Sequence, residues 1–401
     1  MNSRLPYSFV APGACLRPEA ALLVCCARTQ VDAETAERIR ALLQCKLNWL
    51  DVILGAIRHG ILPLLYQNLN AVCPEAVPQA TLEDLRDHFE ANARRSRCLA
   101  QELLRLLALF EAHGVPAVPF KGPLLAAQIY GNVALRQGGD LDILVPRQSA
   151  LVARSLLLNQ GYQEKLHEDG AYAFMGPEGR ACVELHWDLS KWYFPFPLAG
   201  EGLWNRLECL SFVESSVHHF APEDLLLYLC MHGARHCWER LAWICDVAEL
   251  LRAQPAMNWE WVGRQAARLG STRILLLGLR LVKDVLGIAL PAPDGLWPGT
   301  EPAVDLLAGQ VRAHLFQEGS ASPGIWELME RTAFHLRVRE RLQDRIPYVR
   351  FCLQRAFRVN ARDRALCALP SYLNGLYCLL RPLRLVIASR KPKKNCLTEI
   401  R

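Results

Sequence analysis

Between Gly138 and Val145 the chain reads Gly-Gly-Asp-Leu-Asp-Ile-Leu-Val. Side chains along a strand point alternately to opposite faces. Asp140 and Asp142 therefore share one face, while Leu141, Ile143 and Val145 share the other. The apolar face must be buried, and the acidic face must meet water, a cation or a ligand. Gly138 and Gly139 let another group approach the backbone closely. The run predicts a strand, Leu141–Val145, in a sheet that has one core face and one face available for chemistry.

The flanking segments supply the rest of that sheet. Val115–Phe120 reads as a short strand, and Pro116 and Pro119 confine it to an edge. Gly122–Tyr130 and Ser149–Leu158 read as helices, the second closed by Asn159-Gln160-Gly161. Tyr172–Met175 and Ala181–His186 flank Gly176-Pro177-Glu178-Gly179, a hairpin signal. Upstream, residues 32–113 have helical spacing. Trp49, Val52, Ile53, Ala56 and Ile57 form one stripe, broken by Gly60 and Pro63. Thr81-x-x-Asp84 marks a further helix start, and Leu99, Leu103, Leu106, Leu107 and Phe110 form its apolar face. Downstream, helices are expected from Pro222, over Trp238–Leu251 and over Ala266–Ile288, with a proline-rich linker at Pro291–Pro302.

The expected fold class is α+β and predominantly helical, a small mixed β-sheet core framed by N- and C-terminal helical regions. Its expected parts are 1–113 (helical), 114–220 (α/β core), 221–290 (helices packing on the core) and 291–401 (linker and basic helical region).

Composition narrows the function classes. The 401 residues are 51% hydrophobic and 21% charged, which excludes wholesale disorder. No apolar run reaches the ~18 residues of a membrane span, and no secretory leader is evident, so a cytoplasmic protein is expected. The 15 cysteines form no C-x-x-C pair and read as reduced core thiols. The net charge of +6 hides an opposition: residues 331–401 carry 17 Lys/Arg against 4 Asp/Glu. Docking or a solvated surface is the favoured reading of that basic stretch. Contact with RNA or another polyanion, or with a membrane surface through Tyr372–Arg390, is the alternative.

A second acidic segment is Val183-Glu184-Leu185-His186-Trp187. By the same alternation Glu184 and His186 share a face. If this strand lies beside the Asp140 strand, three carboxylates converge, and Asp140, Asp142 and Glu184 become a ligand set for Mg²⁺ or Mn²⁺. Lys121 and Gly122 stand at a strand-to-helix turn suited to phosphate. Arg136 is a second candidate phosphate contact, and Gly139 lets a nucleotide come close. His186, His232 and Trp238 are candidate substrate contacts. His232, His236, Cys237 and Asp246 could compose a zinc site, but their aromatic neighbours favour hydrogen-bonded histidines in a packed helix pair. His218 and His219 read as hydrogen-bonded or solvated. P-loop, dinucleotide and nucleophile-elbow motifs are absent.

The Lys-Gly turn, Arg136, Asp-x-Asp and Glu-Leu-His-Trp together resemble the polymerase β-like nucleotidyltransferase superfamily. More closely, they resemble an uncharacterised bacterial nucleotidyltransferase family within it. His59-Gly60-Ile61-Leu62-Pro63-Leu64-Leu65, His232-Gly233, Trp238-Glu239-Arg240-Leu241, Trp243, Asp246-Val247, Leu369-Pro370 and the run from Leu376 to Arg384 also fit. The resemblance implies metal-dependent transfer of a nucleotidyl group from an NTP to an acceptor hydroxyl or phosphate. Asp140 and Asp142 would hold the metal, and Glu184 would be the third carboxylate. It implies an NTP as partner; the acceptor is unidentified, with a small molecule, peptide or protein favoured over a nucleic acid. The superfamily's Gly-Ser phosphate turn is replaced by Lys121-Gly122. That departure keeps open a catalytically inactive nucleotide- or partner-binding module, and an RNA-modifying enzyme is a further alternative. Replacing Asp140 and Asp142 by Asn is expected to leave stability nearly intact.

Overall fold

The computed structural model describes residues 16–168, 170–179, 181–290, 301–316 and 325–357. Two compact units divide the chain, Met1–Phe316 and Gln317–Arg401. In the first, five helices precede the sheet: α1 (Pro18–Cys26), α2 (Ala33–Leu43), α3 (Trp49–His59), α4 (Leu62–Val72) and α5 (Gln79–Ala112). The central part runs β1 (Val118–Pro119), α6 (Gly122–Tyr130), β2 (Asp140–Leu144), α7 (Ala150–Asn159), β3 (Gln163–Glu168), β4 (Ala171–Met175) and β5 (Cys182–His186). A short helix α8 (Glu201–Trp204) and a hairpin of β6 (Glu208–Phe212) and β7 (Ser215–His219) follow. The helices α9 (Pro222–Arg235), α10 (Leu241–Ala253), α11 (Trp259–Leu269), α12 (Thr272–Leu286) and α13 (Pro302–Leu315) then complete the first unit. The described part of the second unit holds α14 (Ile325–Val338) and α15 (Leu342–Phe357). The chain is thus predominantly helical with a small mixed sheet, as its periodicities indicate.

Sheet order is β1-β2-β5-β4-β3. β2 and β5 are parallel, and the other neighbouring pairs are antiparallel. Leu141 and Ile143 of β2, Val183 and Leu185 of β5 and Phe174 of β4 share a core with Leu99, Leu103, Leu106 and Phe110 of α5 and Ala153 and Leu157 of α7. The long α5 is therefore a floor of the sheet as well as a packing partner of α4. α9 lies on the other side, where Tyr228 meets Phe120 edge-on at 5.1 Å between ring centroids.

Several boundaries differ from the expected ones for local reasons. Only Val118 and Pro119 of the first strand pair, opposite Leu144 and Ile143. α5 begins at Gln79, ahead of Thr81, with no side-chain cap. Gly270 adopts a left-handed conformation that splits the expected Ala266–Ile288 helix into α11 and α12. β3 is an unexpected strand: Gln-Glu-Lys-Leu-His-Glu lacks an alternating apolar face because it lies at the sheet edge. Cys25, Cys26, Cys73, Cys230 and Cys245 are buried free thiols, whereas Cys45, Cys98 and Cys209 are exposed and so depart from the expected core placement. Pro291–Thr300 of the linker, Arg358 onward in the basic stretch and the Tyr372–Arg390 segment lie outside the described residues.

Trp238, a candidate substrate contact, is packed between α9 and α12 outside the sheet core. It is fully buried, and α10 begins three residues later than expected because Cys237 and Trp238 take positive φ. The indole sits against two helical glycines. A Cβ at Gly233 would lie 2.5 Å from it, and one at Gly278 would lie 2.6 Å from Cys230 Sγ and 3.3 Å from the indole. Gly233→Ala overpacks this contact and should cost about 1–3 kcal/mol in denaturant unfolding.

His59 closes α3 from a position 2% exposed. Its Nδ1 accepts from the Leu241 N–H at 3.4 Å, which requires a neutral imidazole. Burial, aided by the nearby Arg58 charge, pushes its pKa from 6.5 down to about 4. An unfolded chain takes up this proton near 6.5 and the folded one only near 4. His59 thus favours folding above the upper value, and that contribution is lost as pH falls between them, up to about 3 kcal/mol. Melting temperature measured from pH 7 to 5 should fall less steeply in His59→Gln than in the wild type.

Candidate active site

Parallel pairing of β2 and β5 sets Asp142 beside Glu184, Asp140 beside Cys182 and Leu144 beside His186. Because Leu141, Ile143, Val183 and Leu185 face the core, Asp140, Asp142, Glu184 and His186 face the other way. One ligand atom each from Asp142, Glu184 and His186 lies within 4.8 Å of the others. His186 Nε2 is 3.3 Å from an Asp142 oxygen and 3.2 Å from a Glu184 oxygen. Lys121 Nζ donates to Asp142 at 3.3 Å. The cluster thus joins His186 to two of the three expected carboxylates, Asp142 and Glu184. Asp140 stands next to this close trio without being part of it.

The acids occupy three environments. The Asp142 side chain is 2% exposed and Glu184's is 40% exposed. Burial disfavours the Asp142 charge, but the Lys121 ammonium and the His186 hydrogen bond outweigh it and hold the carboxyl well below the ordinary range. Asp142 in turn holds the buried Lys121 above its ordinary value despite desolvation. The hydrogen bond from His186 lowers Glu184. Asp140 is raised, first by burial and then by the Asp142 charge. Asp142 is therefore not a solvated acid. Removing it leaves Lys121 buried and uncompensated, so the expectation of nearly intact stability on its substitution does not stand.

Gly122 opens α6 at φ 64°, and a Cβ there would lie 3.1 Å from the Asp140 carbonyl oxygen. Only glycine fits both the conformation and the approach, and it brings the start of the helix against the first acid. The Lys121 ammonium rests 5.7 and 5.6 Å from the ring centroids of Phe120 and Tyr228. Phe120 also stacks on Phe220 at 5.6 Å and meets His186 edge-on at 5.2 Å. This aromatic wall was not foreseen, though Phe120 precedes the Lys-Gly turn and Tyr228 stands one helical turn before His232.

Arg136 has a different partner from the one expected. Its Nε and Nη2 donate to the two oxygens of Asp246 on α10 at 2.9 and 3.0 Å, and the Tyr130 hydroxyl donates to the same carboxylate at 2.7 Å. The guanidinium, read from sequence as a phosphate contact, is thereby paired with a buried carboxylate, while its side chain also lines a small pocket with Gly122, Gly138 and Asp140. Gly139 is held by α5, where Arg95 Nη2 donates to its carbonyl at 3.2 Å. His232 lies between Tyr228, His236 and Trp243, with centroid separations of 6.1, 4.8 and 5.5 Å. Burial, with the Lys121 and Arg235 charges, holds it far below the ordinary histidine value. Among the described residues, the Asp142–Glu184–His186 trio is the group of potential metal ligands that assembles, and the histidines at 232 and 236 join none.

A cleft of about 760 Å³ opens where β2 and β5 end, lined by Val145, Pro146, Arg147, Trp187, Asp188 and Trp204 among others. No described helix is long and apolar enough to cross a membrane.

No curated protein matches the chain. The solution structure of the antibiotic-resistance factor ANT(2'')-Ia is similar at 13% identity and a TM-score of 0.31, over 42% of this chain and 90% of that one. A family model described as an uncharacterised nucleotidyltransferase matches residues 45–287. That span runs from just before α3 to the end of α12 and takes in every residue of the acidic face, and the chain belongs to this family of nucleotidyltransferases.

Proposed function

We propose that the chain moves a nucleoside monophosphate from an NTP to an acceptor hydroxyl or phosphate, with pyrophosphate leaving, in a reaction dependent on Mg²⁺ or Mn²⁺. The observation that carries this reading is the in-register trio of Asp142, Glu184 and His186, with Asp140 and the start of α6 beside it. Two carboxylates and an imidazole within 4.8 Å of one another suit a divalent ion, the imidazole favouring Mn²⁺ and the oxygens accepting either. Such an ion, when bound, neutralises phosphate charge and makes the acceptor hydroxyl more acidic.

The chain's own residues then have distinct tasks. Asp142, Glu184 and His186 hold the ion, and Asp140 adds a fourth donor at the edge of the group. Lys121 offsets the charge of Asp142 and is close enough to share a phosphate. The start of α6 lies against the Asp140 backbone, where its unpaired N–H groups suit phosphate. Glu184, the more open carboxylate, is positioned to accept the acceptor's proton while the new oxygen–phosphorus bond forms and the bond to the β-phosphate breaks. Rate enhancement comes from alignment and charge neutralisation, without a covalent enzyme intermediate. The cleft at the ends of β2 and β5 supports an acceptor of small-molecule, peptide or protein-segment size, because two indoles and a few polar groups line it.

The Lys121–Asp142 pair favours a second reading, nucleotide binding without turnover, since Asp142 already has a counter-charge from the chain itself. Incubation with each labelled NTP, Mg²⁺ and a cell extract separates the two. Transfer of label with pyrophosphate release supports the enzyme; binding with no release from any NTP supports the inert module. Where transfer occurs, Asp140→Asn and Glu184→Gln should each lower its rate by about 10²-fold or more, and chelation should abolish it until Mg²⁺ or Mn²⁺ is restored. Unchanged rates in both variants would remove these carboxylates from the reaction.

A further inference from the structure

We propose that Arg235 of α9 and Arg95 of α5 bind the triphosphate of the incoming nucleotide, the task that sequence alone suggests for Arg136. The proposal rests on the nucleotidyltransferase reading above and assigns residues to its polyanionic substrate.

A site built from Asp140, Asp142 and Glu184 repels a triphosphate unless cations with unspent charge stand nearby. Lys121 is matched by Asp142, and Arg136 is matched in both of its bonds by Asp246. Among the described residues, Arg235 and Arg95 have neighbours of another kind, since each donates to a neutral acceptor and neither forms an ion pair. Arg235 Nη2 lies 3.4 Å from His232 Nδ1. Arg95 Nη2 lies 3.2 Å from the Gly139 carbonyl oxygen. A neutral acceptor fixes the direction of a guanidinium without cancelling its charge.

Arg95 holds the backbone at the entry to β2, and Arg235 stands on the side of the sheet that carries the acids. Arg235 occupies the last turn of α9, and a continuous run of side chains leads from it to the carboxylates. His232 accepts from Arg235 and stacks at 6.1 Å on Tyr228; Tyr228 carries the Lys121 ammonium at 5.6 Å; Lys121 bonds Asp142. The uncharged state of His232 belongs to this arrangement, because a protonated ring would add a third cation and lose the lone pair that holds Arg235. Arg95 approaches from α5. A Cβ on Gly139 would lie 3.2 Å from its Nη2, so glycine there lets the guanidinium sit against the backbone that leads into Asp140. A triphosphate laid across the start of α6 therefore meets Arg95 from one helix and Arg235 from another. The planar fork of arginine suits phosphate oxygens in pairs.

Titration calorimetry in MgCl₂, with each NTP and with inorganic tripolyphosphate as probes, tests the assignment. Arg235→Gln and Arg95→Gln should each weaken binding of both probe types by about tenfold or more. Arg235→Lys should recover part of the loss, because charge returns without the fork. Affinity for the bare nucleoside should be unchanged, and melting temperatures should stay close to wild type because no ion pair is broken. Wild-type affinity for NTP and tripolyphosphate in both Gln variants overturns the proposal and leaves the enzymatic reading intact. A lowered melting temperature with unchanged affinity overturns it too, and makes Arg235 a helix-end charge only. A wild-type protein that binds none of the four NTPs overturns the enzymatic reading and this proposal together.

Discussion

The parallel pairing of β2 with β5 is the constraint on which the site depends. Strand side chains have a period of two, so a slip of one residue would turn Glu184 toward the core and Val183 or Leu185 toward the acids. Leu141, Ile143, Val183 and Leu185 are each at most 1% exposed, and burial of such a side chain contributes about 1.5–3 kcal/mol. A slip would forfeit several of these contributions at once. The hydrophobic floor supplied by α5 and α7 thereby fixes which carboxylates meet. The same register presses Asp142 into a position where a carboxylate survives only with compensation, and Lys121 and His186 supply it.

The helices outside the sheet aim this acidic face. The end of α6 and the loop to β2 are tied to α10 by Tyr130 and Arg136 on Asp246, and the loop is tied to α5 by Asn92 on the Ala134 carbonyl and Arg95 on the Gly139 carbonyl. Gly138 and Gly139 are consequently held from two sides just before Asp140. A comparable tie joins Arg206, after α8, to the fully buried Asp224 in the first turn of α9. It anchors the helix that carries Tyr228, His232 and Arg235. Ion pairs of this kind tie elements into one geometry, and breaking one partner exposes the other to an uncompensated burial.

How much of this is legible in the sequence depends on how far apart the interacting residues lie. Asp140 and Asp142 announce themselves because their face is set by alternation within five residues. Glu184 and His186 follow by the same local rule, and only their adjacency to β2 had to be supposed. The Arg136 ion pair was hidden because a phosphate and a buried carboxylate call for the same side chain, and Asp246 stands 110 residues away. The packing of Trp238 was hidden for the same reason. An indole beside two histidines looks like a substrate wall until Gly233 and Gly278 are seen to make room for it between α9 and α12. Arg235 and Arg95 gave no local signal, since nothing in a helix sequence reveals that an arginine lacks a carboxylate. The edge strand β3 lacked one because pairing on one side imposes little pattern on polar residues.

Burial divides the labour among three acids that composition treats as equivalent. Asp142 is deep, charged and bonded to the chain's own cations, so its loss leaves the buried Lys121 uncompensated. Asp140 is raised by burial and by its neighbour's charge, and sits against the start of α6, where an added cation would relieve it most. Glu184 is open, and its one strong partner, His186, also touches Asp142. A ligand that displaced His186 from either carboxylate would therefore be felt by both. The chemistry of the site is coupled through one imidazole, and the two carboxylates it bridges belong to different strands held in register by the core beneath them.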